Sequence, residues 1–172
     1  MPKVILIIGR LCSGKTTYAR KVAQEEHAVH LNCDELMRTL FPEPLGEDYD
    51  RYLARAFDYL FTLTRRLAES GCVPVLDFGF LSRASRREAA RALEGLTLDW
   101  RYLEVPEDEW RRRIARRNVA ILAGRGQPDE YYVDDGLLQK LIPRFEPPSP
   151  EEGLQVRVIA SGEAKQPTPF PA

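Results

Sequence analysis

An apolar run that leads into a glycine-rich loop constrains this chain more than any other feature of its sequence. Residues 4–8, VILII, are typical of a strand that is buried on both faces. The eight residues that follow, GRLCSGKT, match the pattern G-x-x-x-x-G-K-[ST] at every position. The next stretch, KTTYARKVAQEE, contains no glycine or proline and predicts a helix. The sequence therefore predicts a strand, a tight loop and a helix in immediate succession.

The glycine loop, residues 9–16, has the residue types that a nucleoside triphosphate requires. Backbone N–H groups at a helix N-terminus converge on phosphate oxygens, and glycine allows the backbone to approach them closely. Lys15 is expected to reach the β and γ phosphates, and the Thr16 hydroxyl to bind Mg²⁺. The alternative is a glycine-rich turn without a ligand. We predict that ATP is held by Gly9, Leu11, Cys12, Ser13, Gly14, Lys15, Thr16 and Thr17.

Composition excludes several classes of protein. With 172 residues, 44% of them hydrophobic and 30% charged, the chain fits one globular domain with a full core. A net charge of -1 gives no electrostatic reason to expect a long polyanion as an obligatory partner. No apolar stretch approaches the roughly 20 residues that span a bilayer, so we expect a cytoplasmic protein. The 3 cysteines are too sparse for a disulfide framework or a zinc site.

Strand and helix patterns alternate along the chain. Strands are predicted in AVHLN, VPVLDFGF, LTLDWRYLEV and LQVRVIA, and helical patterns lie between them. Such alternation predicts an α/β fold, a mostly parallel five-stranded sheet with helices on both faces and ligands at the carboxyl ends of the strands. In LTLDWRYLEV, the alternation of Trp100 and Tyr102 with polar residues predicts a half-buried strand. We predict one domain over residues 1–160 and a disordered, Pro-rich tail over residues 161–172.

Local signals place several helix ends. Gly71 follows a long amphipathic pattern and is predicted to terminate that helix. SRASRREAARALEG predicts a helix with a capping box of Ser85 and Glu88, although Ser82 is an equally good cap.

Two carboxylates follow predicted strands and are expected to face the ligand. Asp34 comes after the second strand and Asp77 ends the third. One carboxylate could accept a proton from an attacking hydroxyl, while the other helps to organise Mg²⁺ and lies beside the substrate. The alternatives are a helix cap for Asp34 and a turn residue for Asp77. We interpret Asp34 as a catalytic residue and Asp77 as a metal and substrate residue.

The segment WRRRIARRN is dense in arginine. Arg113 and Arg117 are four residues apart, so they project to one side of a helix and could neutralise charge on a transferring phosphoryl group. Arg111 and Arg112 fit a solvated face that pairs with Glu107 and Glu109. A lid is predicted over about residues 113–132, because NVAILAGRGQPDEYY has the glycine and proline content of a mobile loop.

Together these motifs resemble the small P-loop kinases that are similar to polynucleotide 5′-hydroxyl kinases, zeta toxins and chloramphenicol phosphotransferase, a group of AAA-type predicted kinases. The resemblance rests on GRLCSGKTT, NCDELMRTLF, VLDFGFLSRASRRE, RRRIARRN and RFEPPSPEE. It implies a P-loop NTPase fold with a small helical lid. It also implies that Asp34 is the general base, Arg38 an acceptor-site residue, Arg86 a substrate contact, and Arg113 and Arg117 the lid arginines.

The chain departs from the polynucleotide kinases at two places. They carry an arginine three residues after the catalytic aspartate, where this chain has Met37, with Arg38 one step further along the helix. Their Asp-Thr-Asn run after the third strand is replaced by DFGF. We therefore predict an ATP-dependent kinase that acts on a hydroxyl of a small molecule. The alternatives are a kinase of 5′-hydroxyl ends of RNA or DNA and, less favoured, a nucleotide-binding switch.

Overall fold

A computed structural model describes residues 1–126 and 130–160. Five strands form one sheet in the order β2-β3-β1-β4-β5, and every neighbouring pair is parallel. The strands are β1 Lys3–Ile8, β2 Val29–Asn32, β3 Pro74–Gly79, β4 Thr97–Glu104 and β5 Val156–Ala160. The predicted five-stranded parallel sheet is confirmed. The predicted tail, and residues 127–129 of the predicted lid, lie outside the described residues.

Helices connect the strands and cover the sheet. They are α1 Lys15–Glu25, α2 Cys33–Leu40, α3 Tyr49–Glu69, α4 Arg83–Ala92, α5 Glu107–Leu122 and α6 Asp135–Leu141. Three short 3₁₀ turns lie at Gly46–Asp48, Ile142–Arg144 and Pro150–Glu152. Within the described part of the chain, no helix is both long and apolar enough to cross a membrane.

The core lies on both faces of β1, as its continuous apolar sequence requires. One face carries Val4, Leu6 and Ile8, which pack with residues of α3 and α4. The other face carries Ile5 and Ile7, which pack with residues of α1. All five side chains are fully buried. The loop after β1 is therefore anchored by a strand that cannot shift without exposing apolar surface on two sides.

Two predicted helix ends differ in their outcome. Gly71 has a φ of +88° just after the end of α3, and its N–H donates to the Ala68 carbonyl, which confirms its role as a terminator. The predicted capping box of Ser85 and Glu88 is wrong, and the alternative cap, Ser82, is confirmed, because α4 begins one residue after Ser82. The Ser82 and Ser85 side chains each pair with the other residue's backbone N–H, so the box is shifted by three residues.

The half-buried pattern predicted for β4 is wrong as well. Arg101, on the face expected to be polar and solvated, is only 4% exposed. Its guanidinium donates to Asp99 Oδ2 at 2.7 Å and to Glu26 Oε1 at 2.6 Å. Arg101 is thus buried as an ion pair with Asp99 of the same strand and with Glu26 at the end of α1.

Candidate active site

The glycine loop closes tightly between β1 and α1, and two positions explain its need for glycine. A Cβ on Gly9 would lie 2.5 Å from Ser13 Oγ and 3.1 Å from Lys15 Cγ. Gly14 has a φ of +94°, in the left-handed region that other residues adopt only at a cost. Cys12 also has a positive φ, of +58°. The backbone thus curls into a concave turn at the N-terminus of α1, the geometry that binds phosphate.

Two side chains of the loop, Ser13 and Lys15, have polar groups in buried environments. Ser13 is 1% exposed, and its Oγ has no hydrogen-bond partner among the described residues. Lys15 Nζ donates to the Arg10 carbonyl at 3.0 Å. Burial lowers the pKa of Lys15, although the charges of Asp77 and Asp34 oppose that shift. An anion bound in the loop would stabilise the charged ammonium group of Lys15 further.

Asp77 lies under the loop and contacts Thr16 directly. Its Oδ2 accepts from Thr16 Oγ1 at 2.8 Å and from Asn32 Nδ2 at 2.7 Å. His30 Nε2 lies 3.4 Å from the same oxygen. Burial would raise the pKa of Asp77, but the neighbouring His30 imidazole, the charge of Lys15 and the hydrogen bond from Thr16 outweigh it, so the net shift is downward. Asp77 is therefore held as a carboxylate.

The position of Asp77 within β3 differs from the prediction. The strand continues to Gly79, so Asp77 does not end it, and its backbone partner across the sheet is Asn32. The side chain nevertheless reaches Thr16. A hydroxyl and a carboxylate at this separation are the oxygen ligands that Mg²⁺ prefers, and they fit a magnesium site beside the glycine loop. Neither Asn32 nor His30 was predicted as a site residue, because their role depends on the pairing of β2 with β3.

One face of α5 holds the glycine loop in place. Trp110 Nε1 donates to the Leu11 carbonyl at 2.6 Å, and an Nη of Arg113 donates to the Ser13 carbonyl at 2.8 Å. An Nη of Arg117 lies 3.0 Å from Cys12 Sγ. The spacing of three and then four residues puts these side chains on one face. The structure therefore brings both predicted lid arginines to the loop. Trp110 was not predicted as a site residue. Its position three residues before Arg113 puts it on the same face of the helix, and that spacing could have indicated its role.

The two arginines also have polar atoms that point elsewhere. Arg113 Nε pairs with Glu109 Oε1 at 2.9 Å. Arg117 Nε is buried without a hydrogen-bond partner in the described part of the chain. Arg111 pairs with Glu107, and Arg112 with Asp108 and Glu109, as expected of a solvated face. Of the five arginines in this segment, the two whose contacts reach the glycine loop are Arg113 and Arg117.

Arg10 links the loop to the start of α5. Its guanidinium pairs with Glu107 at 2.8 Å, donates to the Val105 carbonyl at 2.8 Å and lies 3.9 Å from the centroid of a Trp110 ring. Arg10 occupies a variable position of the loop pattern, so the motif gave no signal for it. These contacts make the loop and α5 one unit.

The opposite side of the site is formed by α2. Asp34 is exposed in the first turn of α2, and Arg38 is exposed one helical turn later. The helix cap is Asn32, whose side chain accepts the Glu35 N–H at 2.8 Å, so Asp34 is not the cap. The charge of Asp34 reaches Lys15, because it raises the pKa of that lysine against the effect of burial. Asn32, two residues before Asp34, donates to the same Asp77 oxygen as Thr16, so the start of α2 adjoins the glycine loop.

An aromatic cluster flanks this side. The rings of Phe41 and Tyr52 have centroids 4.7 Å apart. Phe57 packs against Phe61 and Phe78 and belongs to the core. Tyr49 is 45% exposed. Among Phe41, Tyr49, Tyr52 and Phe57, Tyr49 is the exposed residue.

Arg86 requires a correction. Its side chain is fully buried, with two hydrogen bonds to the Glu152 carboxylate at 2.7 Å each. It also donates to the Phe80 and Glu146 carbonyls at 2.9 Å. A group that is enclosed and fully paired cannot contact a substrate, so the structure does not support the predicted role. Arg86 instead joins α4 to the segment before β5.

Comparisons with known proteins bear on this site. A family model described as an AAA domain matches residues 4–148, which is most of the chain. A comparison with curated proteins finds no significant match.

Solved structures share the fold. A sugar kinase from Janibacter sp. HTCC2649 aligns over 97% of this chain and 88% of its own, with a TM-score of 0.62 and 22% identity. Kti12 from Chaetomium thermophilum, in complex with ADP-AlF3, aligns over 91% and 88%, with a TM-score of 0.68 and 19% identity. A chain of the Pnkp1/Rnl/Hen1 RNA repair complex aligns over 83% and 43%, with a TM-score of 0.62 and 16% identity. At these identities the likeness shows the fold alone.

Proposed function

The chain belongs to the AAA_33 family of AAA domains, and on that premise we propose that it is an ATP-dependent kinase that transfers the γ-phosphoryl group to a hydroxyl of a small-molecule acceptor. One observation carries the proposal. Asn32, two residues before Asp34, and Thr16 of the glycine loop donate to the same Asp77 oxygen, so the turn of α2 that carries the candidate general base adjoins the loop, and the charge of Asp34 acts on Lys15. A site that only held a nucleotide would need the lysine but not the carboxylate.

The residues of this chain divide the chemistry between them. Backbone N–H groups of residues 9–17 bind the phosphates, and Lys15 leaves the Arg10 carbonyl to reach the β and γ oxygens. Arg113 and Arg117 face the same loop and neutralise charge as the phosphoryl group transfers. Thr16 and Asp77 would hold Mg²⁺, which offsets phosphate charge when bound.

Asp34 acts on the acceptor. It accepts the proton of the acceptor hydroxyl as that oxygen forms its bond to the γ-phosphorus. The bond from the γ-phosphorus to the bridging oxygen breaks, and ADP leaves with the electron pair. Arg38, one turn along α2, is placed to contact the acceptor on the same side. The products are a phosphate monoester and ADP.

The acceptor class rests on charge and on the fold relatives. The net charge is -1, and the two loop-facing arginines are committed to the nucleotide. A sugar kinase is among the structures with this fold, which supports a small hydroxyl compound. An RNA repair complex is also among them and supports the alternative, a 5′-hydroxyl end of RNA or DNA. A guanine-specific N-K-x-D motif is absent from the sequence, so a GTP-type switch is less favoured.

A cytoplasmic location stays a prediction.

The test is a screen of acceptors. Purified protein with ATP and Mg²⁺ is incubated with sugars, polyols, nucleosides and 5′-hydroxyl oligonucleotides, and both ADP release and phosphorylated product are measured. We expect one small hydroxyl compound to stimulate ADP release in stoichiometric proportion to a phosphate monoester. Product only from oligonucleotides would favour the alternative. ADP release without any phosphorylated acceptor would overturn the kinase proposal.

A further inference from the structure

Asn32 lies at the point where β2 ends and α2 begins, and the proposed reaction gives it no task of its own. It is the last residue of β2 and the N-cap of α2. Its partner across the sheet is Asp77 of β3. Two residues later the chain reaches Asp34, the candidate general base. Asn32 therefore stands between the carboxylate of the proposed magnesium site and the helix that carries the candidate base.

Both ends of the Asn32 amide are hydrogen-bonded. Its Oδ1 accepts the Glu35 N–H at 2.8 Å, and its Nδ2 donates to Asp77 Oδ2 at 2.7 Å. A primary amide carries an acceptor and a donor in one planar group, whereas a carboxylate can only accept. The two partners need opposite halves of this group, so together they fix which way the amide faces.

Three elements meet at the Asp77 oxygen that Asn32 contacts. Thr16, near the start of α1, donates to this oxygen at 2.8 Å. His30 Nε2 of β2 lies 3.4 Å from it and has no hydrogen-bond partner in the described part of the chain. The Asp77 side chain is only 2% exposed. Because a buried carboxylate cannot replace a lost donor with bulk water, Asn32 and Thr16 hold its orientation.

The first turn of α2 depends on the other end of the amide. The helix has 8 residues, and its buried side chains are those of Cys33 and Met37. First-turn N–H groups have no partner within a helix, and the Asn32 side chain supplies one for Glu35. The Asn32 amide is therefore a direct polar link from the start of α2 to the Asp77 carboxylate.

We propose that Asn32 is a positioning residue that couples the magnesium site to the first turn of α2. Its nitrogen orients the Asp77 carboxylate, and its oxygen holds the turn that carries Asp34. This role rests on the proposed function, in which Thr16 and Asp77 would hold Mg²⁺. Groups that orient a metal-binding side chain commonly contribute about 10–100-fold to metal affinity. Because one planar amide makes both contacts, order at either end favours order at the other.

Asn32→Ser separates the two ends of the amide. Serine is a strongly preferred N-cap, so its hydroxyl should still accept the Glu35 N–H. Its side chain is one atom shorter and loses the contact with Asp77. Asn32→Thr carries the same hydroxyl and suits the extended backbone at the end of a strand, so it is the second variant if the serine protein does not fold.

The matched control is Asn118→Ser on α5. Asn118 also uses both ends of its amide, donating to the Val133 carbonyl at 2.7 Å and accepting the Val133 N–H at 2.9 Å. Its replacement removes two hydrogen bonds of the same kind without touching Asp77. Circular dichroism and the thermal midpoint establish that each variant is folded.

The first experiment measures how much Mg²⁺ strengthens nucleotide binding. The Kd of the non-hydrolysable analogue AMP-PNP is determined by calorimetry with Mg²⁺ and with EDTA, and the ratio is the gain from Mg²⁺. In Asn32→Ser we expect this gain to be about tenfold smaller than in the wild type, with the Kd in EDTA little changed. Asn118→Ser should keep the wild-type gain. In an Asp77→Ala background, Asn32→Ser should have little further effect, because two residues that act through one group are not additive.

The second experiment tests the coupling to α2. Hydrogen exchange of the Glu35 backbone N–H is followed by NMR in the AMP-PNP complex, before and after Mg²⁺ is added. We expect Mg²⁺ to slow this exchange by at least about twofold in the wild type and in Asn118→Ser. The slowing should be absent in Asn32→Ser, which keeps the cap but lacks the link to Asp77. A residue that served only as a helix cap would not produce this difference.

The outcomes separate this role from the kinase proposal. If both Mg²⁺ effects are present in the wild type and fall in Asn32→Ser, but no acceptor yields a product, the kinase proposal fails and the positioning role stands. The positioning role is overturned if Mg²⁺ does not strengthen AMP-PNP binding to the wild type, or if Asn32→Ser keeps the full gain. It is also overturned if Mg²⁺ leaves the exchange of the Glu35 N–H unchanged in the wild type.

Discussion

The two sides of the candidate active site are built in different ways. The nucleotide side, formed by residues 9–17 and the facing residues of α5, is a closed network in which Trp110, Arg113 and Arg117 contact three successive loop residues. The proposed acceptor side, represented by Asp34 and Arg38 of α2, consists of exposed side chains. One side is fixed by the protein's own contacts, and the other is open to solvent.

This difference has a chemical origin. A triphosphate presents the same oxygens in any protein, so it can be bound by backbone groups and by side chains at a fixed spacing in one short stretch. An acceptor must be recognised by its own shape, and the groups that do so come from wherever the fold brings exposed residues together. The nucleotide side should therefore control whether transfer occurs at all, and the acceptor side should control the chemical step and the choice of substrate.

The largest effect is expected on the nucleotide side. Lys15→Ala should lower phosphoryl transfer by on the order of 10³-fold or more, because it removes a positive charge from the γ-phosphate. The fold should survive, since Lys15 serves the ligand and makes its described hydrogen bond to a loop carbonyl. The measurements are kcat/KM and the thermal midpoint, with Lys21→Ala on the same helix as the control. Transfer that persists in Lys15→Ala would show that the loop is not the site of chemistry.

Asp34 tests whether the two sides divide binding from chemistry. Asp34→Asn should lower kcat by about 10² to 10⁴, the range for a positioned general base, with nucleotide affinity nearly unchanged. The control is Glu35→Gln, which removes the neighbouring exposed carboxylate. ATP affinity is measured by calorimetry and kcat at saturating acceptor. A loss of ATP affinity with kcat preserved would show that Asp34 contributes to nucleotide binding and not to the chemical step.

The same distinction explains which features were predictable from the sequence. The buried strand β1, the glycine loop and the faces of α5 follow from apolar runs and fixed spacings, so they could be predicted. Asn32 and His30 could not, because they meet Asp77 only through the pairing of β2 with β3. Arg10 occupies a variable position of the motif, and its role depends on contacts nearly a hundred residues away in the chain.

Arg86 shows the limit of predicting a site from residue type. An arginine near a predicted substrate site and a structural arginine look the same in a sequence, and only burial separates them. Arg86 is fully buried and paired with Glu152, whereas Arg117 leaves one buried nitrogen without a partner among the described residues. Arg86 is committed to contacts within the fold, whereas an Nη of Arg117 contacts Cys12 of the glycine loop.

A stability measurement sharpens this contrast. Arg86→Ala should destabilise the protein by about 3–5 kcal/mol, because it leaves the Glu152 carboxylate buried without its partner. Acceptor KM of the remaining folded protein should be unchanged. The control is Arg83→Ala on the same helix, whose side chain is 57% exposed. The measurement is urea unfolding at constant m-value. A folded Arg86→Ala protein with normal stability and a raised acceptor KM would show that Arg86 contacts the acceptor, as the sequence predicted.

The same ion pair predicts a pH dependence of stability. The hydrogen bonds from Arg86 lower the pKa of Glu152, so at acidic pH the unfolded chain binds this proton more readily than the native protein does. Its stabilising contribution is therefore present above the ordinary carboxyl pKa, about 4.3, and is lost as the pH falls through the lowered native value. We expect the free energy of unfolding to fall less steeply with acidification in Glu152→Gln than in the wild type. If the free energy of unfolding falls with acidification equally steeply in both proteins, the pKa of Glu152 does not differ between the native and unfolded states.

The smallest expected effect concerns salt, and it separates the two acceptor classes. A polynucleotide held by several arginine or lysine contacts releases counterions on binding, and six to ten phosphate contacts would cost ~10³ to 10⁵ in affinity between about 50 and 200 mM salt. On the acceptor side Arg38 is the one basic member, and the loop-facing Arg113 and Arg117 belong to the nucleotide side. We therefore expect acceptor KM to change by less than about threefold over this range, while KM for ATP, which is itself charged, rises more. Both constants are measured in the same titration, so that a loss caused by ATP is not assigned to the acceptor. An acceptor KM that rises tenfold or more on its own would show that the acceptor side binds several phosphates, and it would favour a 5′-hydroxyl polynucleotide kinase.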